Sequence, residues 1–241
     1  MAQYPEARIS NGEIEAIIYL PDAKSGFYRG TRFDWAGVIP SLKYKGHEYF
    51  GEWYAEHDPK RHDAITGPVE AFDPIDYDSA APGETFIKIG IGTIKKINNT
   101  PYRFNAPFEL VDSGVWKVIK KKDRVIFTHE LNDGKGHSYT YTKTVRLLKG
   151  KPELILEHSL KNTGQKTINT SVFNHNFFVI DKQTTGSDFI ISLPFKIDNK
   201  PIVLTYRRLF SLEISKVILE TLINYETMFS DRFYLCFNKI V

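Results

Sequence analysis

The chain has 241 residues, 41% hydrophobic and 25% charged, which is the balance of an ordinary globular protein and excludes disordered, collagen-like and low-complexity classes. Its 32 basic and 29 acidic residues leave a net charge of +3, too even for a nucleic-acid partner, and no apolar run approaches the ~18 residues of a membrane helix. The first twenty residues carry Glu6, Glu13 and Glu15 and lack the apolar segment of a secretory signal. The one cysteine, Cys236, allows no internal disulfide, so a reduced, cytoplasmic home is expected.

Short β-like runs dominate from residue 9 to residue 198. Residues 13–20, 33–44, 85–94, 116–120 and 124–131 are rich in β-branched or aromatic side chains and are bounded by Gly, Pro, Asn or Asp. Lys120-Lys121-Lys122 with Arg124 lies between two such runs and reads as a solvated hairpin tip. The clearest alternation is residues 138–148, with Tyr139, Tyr141, Lys143, Val145 and Leu147 on one face and Thr140, Thr142, Thr144 and Arg146 on the other. Further strands are expected at 153–161 and 167–181, separated by a turn at Asn162-Thr163-Gly164. This spacing indicates a large antiparallel sandwich or barrel.

Two segments break the pattern. Residues 55–84 are rich in Pro, Asp and Gly and read as a long loop of the kind that often carries function. The tail, 199–241, contains none of the 16 glycines, where average usage of ~7% would give about three. Leu209, Leu212, Val217, Leu219, Leu222 and Ile223 could line a helix over 209–227. The expected division is therefore a β-sandwich domain at 1–198 and a divergent tail at 199–241, either a terminal helix or foreign sequence from a frameshift or splice change.

Chemistry concentrates in three places. In the run Thr170–Asp181, period-2 geometry puts Ser171, Phe173, His175, Phe177 and Val179 on one face and Val172, Asn174, Asn176, Phe178 and Ile180 on the other. The centre, Asn174-His175-Asn176, is either a satisfied core histidine with two structural asparagines or the floor of a cleft in which the histidine moves protons. In Arg29–Gly37, Arg32, Asp34 and Trp35 suit sugar recognition, the charged groups on hydroxyls and the indole on the apolar sugar face; the alternative is an Arg32–Asp34 surface pair over a buried Trp35. Glu56-His57-Asp58 with His62-Asp63 fits no strong metal spacing and reads as a solvated loop, and Glu70 in the same loop could point into a cleft. Dinucleotide, P-loop, nucleophile-elbow and zinc-protease motifs do not occur.

The runs Arg29–Gly37 (RGTRFDWAG) and Thr170–Phe178 (TSVFNHNFF) resemble those of a bacterial branch of the aldose 1-epimerase (galactose mutarotase) superfamily, over about residues 8–198. The resemblance implies a galactose mutarotase-like β-supersandwich, incomplete if its last strands are missing. It also implies a small-molecule sugar as partner, with no nucleic acid or membrane, and a reaction without cofactors. In that reaction His175 protonates the ring oxygen as general acid, a glutamate deprotonates the anomeric hydroxyl, and the opened aldose recloses as the other anomer. The substrate-binding candidates are Arg32, Asp34, Trp35, Glu70, Asn174 and Phe177. The family's second histidine has no counterpart at 88–93, which reads Lys-Ile-Gly-Ile-Gly-Thr. Its glutamate lies downstream of the histidine; Glu213, Glu220 and Glu226 follow here but none sits in a recognisable motif, so the base is unassigned. The alternative function is a non-catalytic carbohydrate-binding sandwich that lacks the base.

Overall fold

The computed structural model describes residues 4–183, 219–223 and 228–236. Strands β1 (Glu6–Ser10), β2 (Ile14–Tyr19), β3 (Val38–Tyr44) and the two-residue β4 (His47–Glu48) form one sheet in that order. A second contains β9 (Val115–Lys120), β10 (Arg124–Asn132), β11 (Ser138–Leu147) and β12 (Glu153–Asn162), with β15 (Met228–Cys236) added beside β12. In the third, β13 (Ile168–Phe177) lies between β5 (Gly67–Phe72) and β14 (Leu219–Ile223). The fourth is β6 (Thr85–Lys88), β7 (Gly92–Lys95) and β8 (Glu109–Asp112). Among the described residues every strand pairing is antiparallel. No described helix is long and apolar enough to cross a membrane.

The expected all-β sandwich is what forms, and the alternation in β11 explains how. Tyr139, Tyr141, Lys143, Val145 and Leu147 are all buried, and the residues between them are half-exposed. One core joins the first sheet to the second through Ile9, Ile14, Ile18 and Leu42 against Val125, Phe127, Val145 and Leu156. A second core gathers Phe33, Trp35, Val69, Phe86, Ile94 and Phe177, and a third joins Phe72, Ile87 and Ile168 to Tyr139, Tyr141 and Leu160. The Lys120–Arg124 stretch is the tip of the β9–β10 hairpin, as expected, with Lys121 N–H donating to the Arg124 carbonyl at 2.8 Å.

Four boundaries differ from expectation. The loop expected over 55–84 contains a strand, β5, with all six residues buried and paired in register with β13. The run 85–94 is two strands, because the chain reverses at Gly90. That glycine has φ +75°, and a Cβ on it would lie 2.4 Å from Asp34 Oδ1. The run 33–44 is strand only from Val38 onward. Its first residues bridge sheets instead: Asp34 N–H donates to the Glu70 carbonyl at 2.8 Å and Trp35 N–H to the Gly90 carbonyl at 3.1 Å. Of the segment expected to be helical at 209–227, the described part is strand β14, which pairs with β13 from Ile168 to Val172. The remainder lies outside the described residues.

Candidate functional site

The strand registers assemble a buried ionic cluster. Across β11 and β12, Lys143 lies opposite His158; across β5 and β13, Glu70 lies opposite Asn174. The bridging segment before β3 adds Asp34. Lys143 Nζ contacts Glu70 Oε2, lies 3.9 Å from Asp34 Oδ2 and donates to the Ala36 carbonyl at 2.9 Å. Glu70 Oε1 accepts from Asn174 Nδ2 at 2.9 Å and lies 3.3 Å from His158 Nε2. Tyr141 Oη donates to Asp34 Oδ2 at 2.9 Å and meets His158 Nδ1 at 3.0 Å, tying the two halves together.

Lys143 is 0% exposed and Asp34 and Glu70 are 1% exposed, so each charge depends on its partners. Burial alone would raise the Glu70 carboxyl, but the Lys143 ammonium and His158 outweigh it and hold it at about 2. Burial pushes Asp34 up to about 6 against the pull of Lys143, with Glu70 adding to the rise. Glu70 is held firmly ionised, while Asp34 titrates closer to neutral pH.

A second, more open constellation lies on the other face of β13. The His175 ring stacks on Phe177 at 4.1 Å, and Phe177 stacks on Trp53 at 5.7 Å, giving a row of three rings. Phe33 meets both His175 and Phe177 edge-on at 5.7 Å. The Arg32 guanidinium sits over Phe33 at 4.5 Å and over Phe104 at 4.0 Å. Trp53 and Phe104 are exposed, whereas His175 is 8% exposed and its Nδ1 is buried with no hydrogen-bond partner among the described residues. Burial, reinforced by the Arg32 charge, lowers the imidazole to about 4, so His175 is neutral at pH 7.

The structure thus sorts the candidate residues into two groups. Arg32, His175 and Phe177 share the aromatic face. Asp34, Glu70 and Asn174 share the ionic cluster on the opposite side of β13, where their polar atoms are committed to one another and to Lys143. Trp35 is enclosed in the core, with its indole N–H donating to the Gly30 carbonyl at 2.8 Å. His57 Nε2 meets the Phe27 carbonyl at 2.9 Å and Nδ1 meets Tyr54 Oη at 3.2 Å, with its ring stacked on Phe27. No three His, Cys, Asp or Glu side chains among the described residues are gathered as metal ligands.

Sequence reasoning did not single out Lys143, Tyr141 or His158. Lys143 carried a signal, since it stands in phase with the apolar side chains of an alternating strand, where a lysine needs a buried counter-ion.

The chain matches no protein-family profile and no curated protein. Two solved structures are similar to it: a galactose mutarotase-like protein from Lactobacillus casei ATCC 334 and a galactose mutarotase related enzyme from Lactobacillus acidophilus. They share 17% and 16% identity over 72% of this chain, with TM-scores of 0.39 and 0.38. The chain spans about half their length, covering 49% and 48% of them.

Proposed function

We propose that this chain is a carbohydrate mutarotase that binds an aldose on the His175 face and interconverts its α and β anomers. The observation that carries the reading is the row Trp53–Phe177–His175 with Arg32 beside it. An exposed indole offers a stacking surface for the apolar face of a sugar ring, a guanidinium offers donors to its hydroxyls, and a neutral imidazole can move a proton at neutral pH. Ring opening needs only proton transfers at the anomeric hydroxyl and the ring oxygen, so these groups supply chemistry of the right kind. Asp34, Glu70 and Asn174 support the face from behind by fixing β13 against β5.

One observation favours a second reading, a carbohydrate-binding sandwich without catalysis. Among the described residues the charge that bears on His175 is that of Arg32, while the carboxylate nearest along the register, Glu70, is bound to Lys143. Two measurements separate the readings. Titrating aldoses against tryptophan fluorescence reports binding at Trp53, and saturation transfer between anomeric proton signals reports ring opening. Binding with exchange supports the mutarotase; binding alone supports the binding module; neither overturns both.

A further inference from the structure

Six large apolar side chains are exposed among the described residues. Four are aliphatic and lie on β8, on β9 or just after β7: Val111, Val115, Ile119 and Ile97. The two aromatic ones, Trp53 at 37% and Phe104 at 46%, both border the His175 face. Scattered aliphatic side chains are ordinary surface, whereas exposed rings gathered at one place offer stacking platforms.

Phe104 is displayed by its segment, 101–108, and held from behind. Tyr102 and Phe108 anchor the segment by stacking on each other at 5.7 Å and meeting Tyr77 and Phe86 at 5.2 Å each. Between these anchors the Ala106 N–H donates to the Arg103 carbonyl at 3.0 Å, a turn that carries Phe104 to the surface. The Arg32 guanidinium lies over the Phe104 ring at 4.0 Å, and the His62 ring meets it at 5.5 Å. His62 is fixed in turn by Tyr28 Oη, which donates to its carbonyl at 2.9 Å. A ring held this way loses little freedom when a ligand stacks on it.

Phe104 is contiguous with the site. His175 meets Phe33 at 5.7 Å, Phe33 carries the Arg32 guanidinium at 4.5 Å, and the same guanidinium covers Phe104. Trp53 reaches His175 from the other direction, through Phe177. The ring contacts of Trp53 are to Tyr54 and Phe177, so the two exposed rings do not stack on each other. A sugar ring stacked on Trp53 therefore leaves Phe104 as a separate platform, one residue beyond Arg32.

We propose that the aldose is the reducing-end unit of an oligosaccharide, with that unit at Trp53 and His175 and the next unit stacked on Phe104. This rests on the mutarotase reading above and names its substrate class. Ring opening occurs only at a reducing end, whose C1 must face His175. In a 4-linked chain the next unit hangs from the ring carbon opposite C1, so it leaves the site away from His175. Phe104 lies in that direction, beyond Arg32, and supplies the apolar surface that a second sugar ring would cover.

The test compares D-glucose with cellobiose, maltose and lactose, which all carry glucose as the reducing unit. Affinity is read from tryptophan fluorescence and anomeric exchange from saturation transfer. At least one disaccharide should bind ~3–10-fold tighter than glucose, with kcat/KM raised by a similar factor. Phe104→Ala should bring that ratio to about one, and Phe104→Trp should keep it. Phe104 is exposed and outside the core, so both variants should fold, which circular dichroism checks. Disaccharides handled no better than glucose, or a ratio unmoved in Phe104→Ala, would overturn the subsite and leave the mutarotase reading standing. Tighter disaccharide binding that is lost in Phe104→Ala, without anomeric exchange, would support the subsite and overturn the mutarotase. Binding of none of these sugars by folded wild type would overturn both.

Discussion

Lys143 shows how a single residue can organise a core. A buried ammonium is tolerated only with counter-charges held at bonding distance, and here Glu70 and Asp34 arrive from two different segments to supply them. The cluster therefore acts as a lock between the second and third sheets and the segment that precedes β3. Lys143→Met removes the ammonium and leaves the buried Glu70 carboxylate with only Asn174 and His158 beside it. It should destabilise the fold by ~3–5 kcal/mol in urea unfolding. Adding Glu70→Gln should recover most of that loss, since Asp34 and His158 remain joined through Tyr141. A double variant as unstable as the single one would show that lost packing, and not uncompensated charge, sets the cost.

At the scale of elements, the pairing of β5 with β13 builds both constellations at once. Successive residues point to opposite faces, so Asn174 joins the ionic cluster while His175 joins the aromatic face. The alternation of β11 and the two faces of β13 were legible in the sequence because period-2 patterning survives when one face is buried. β5 was not legible, because Pro68 and Glu70 look like loop residues until Lys143, 73 positions away, is known to meet Glu70. The grouping of Asp34 with Glu70 was hidden for the same reason, since a counter-ion supplied by another sheet leaves no local mark. Arg32 and His175 were each readable as chemical residues, and their sharing of a face required the fold. The turn at Gly90 carries its own test. Gly90→Ala should cost more than ~1 kcal/mol, through φ +75° and the clash with Asp34 Oδ1, and should disturb Asp34. An unchanged urea midpoint would contradict that close approach.

For the whole molecule, two buried histidines set the response to acid. His129 is fully enclosed between Trp116, stacked at 4.3 Å, and Tyr139, whose hydroxyl meets its Nδ1 at 3.1 Å, while its Nε2 donates to the Ser113 carbonyl at 2.9 Å. Burial holds both His129 and His175 at about 4, against 6.5 in the unfolded chain. Between those values the unfolded chain binds more protons, so the stability they contribute is full above pH 6.5 and drains as pH falls toward 4, by ~3 kcal/mol each. Asp34, raised to about 6, works the other way between about 4 and 6 and cancels part of this. The urea midpoint should fall between pH 7 and pH 4.5, and fall less in His129→Gln. A flat midpoint over that range would mean that these histidines are solvated in the folded protein.

The reading of the molecule as an aldose mutarotase stands on His175. Saturation transfer between the α and β anomeric protons of D-glucose and D-galactose, in wild type and in His175→Gln, tests it most directly. Exchange above the buffer rate in wild type, reduced ~10²–10⁴-fold in the variant with both proteins folded, is the result expected. Equal rates in the two proteins, or no exchange by folded wild type with either sugar, would contradict it.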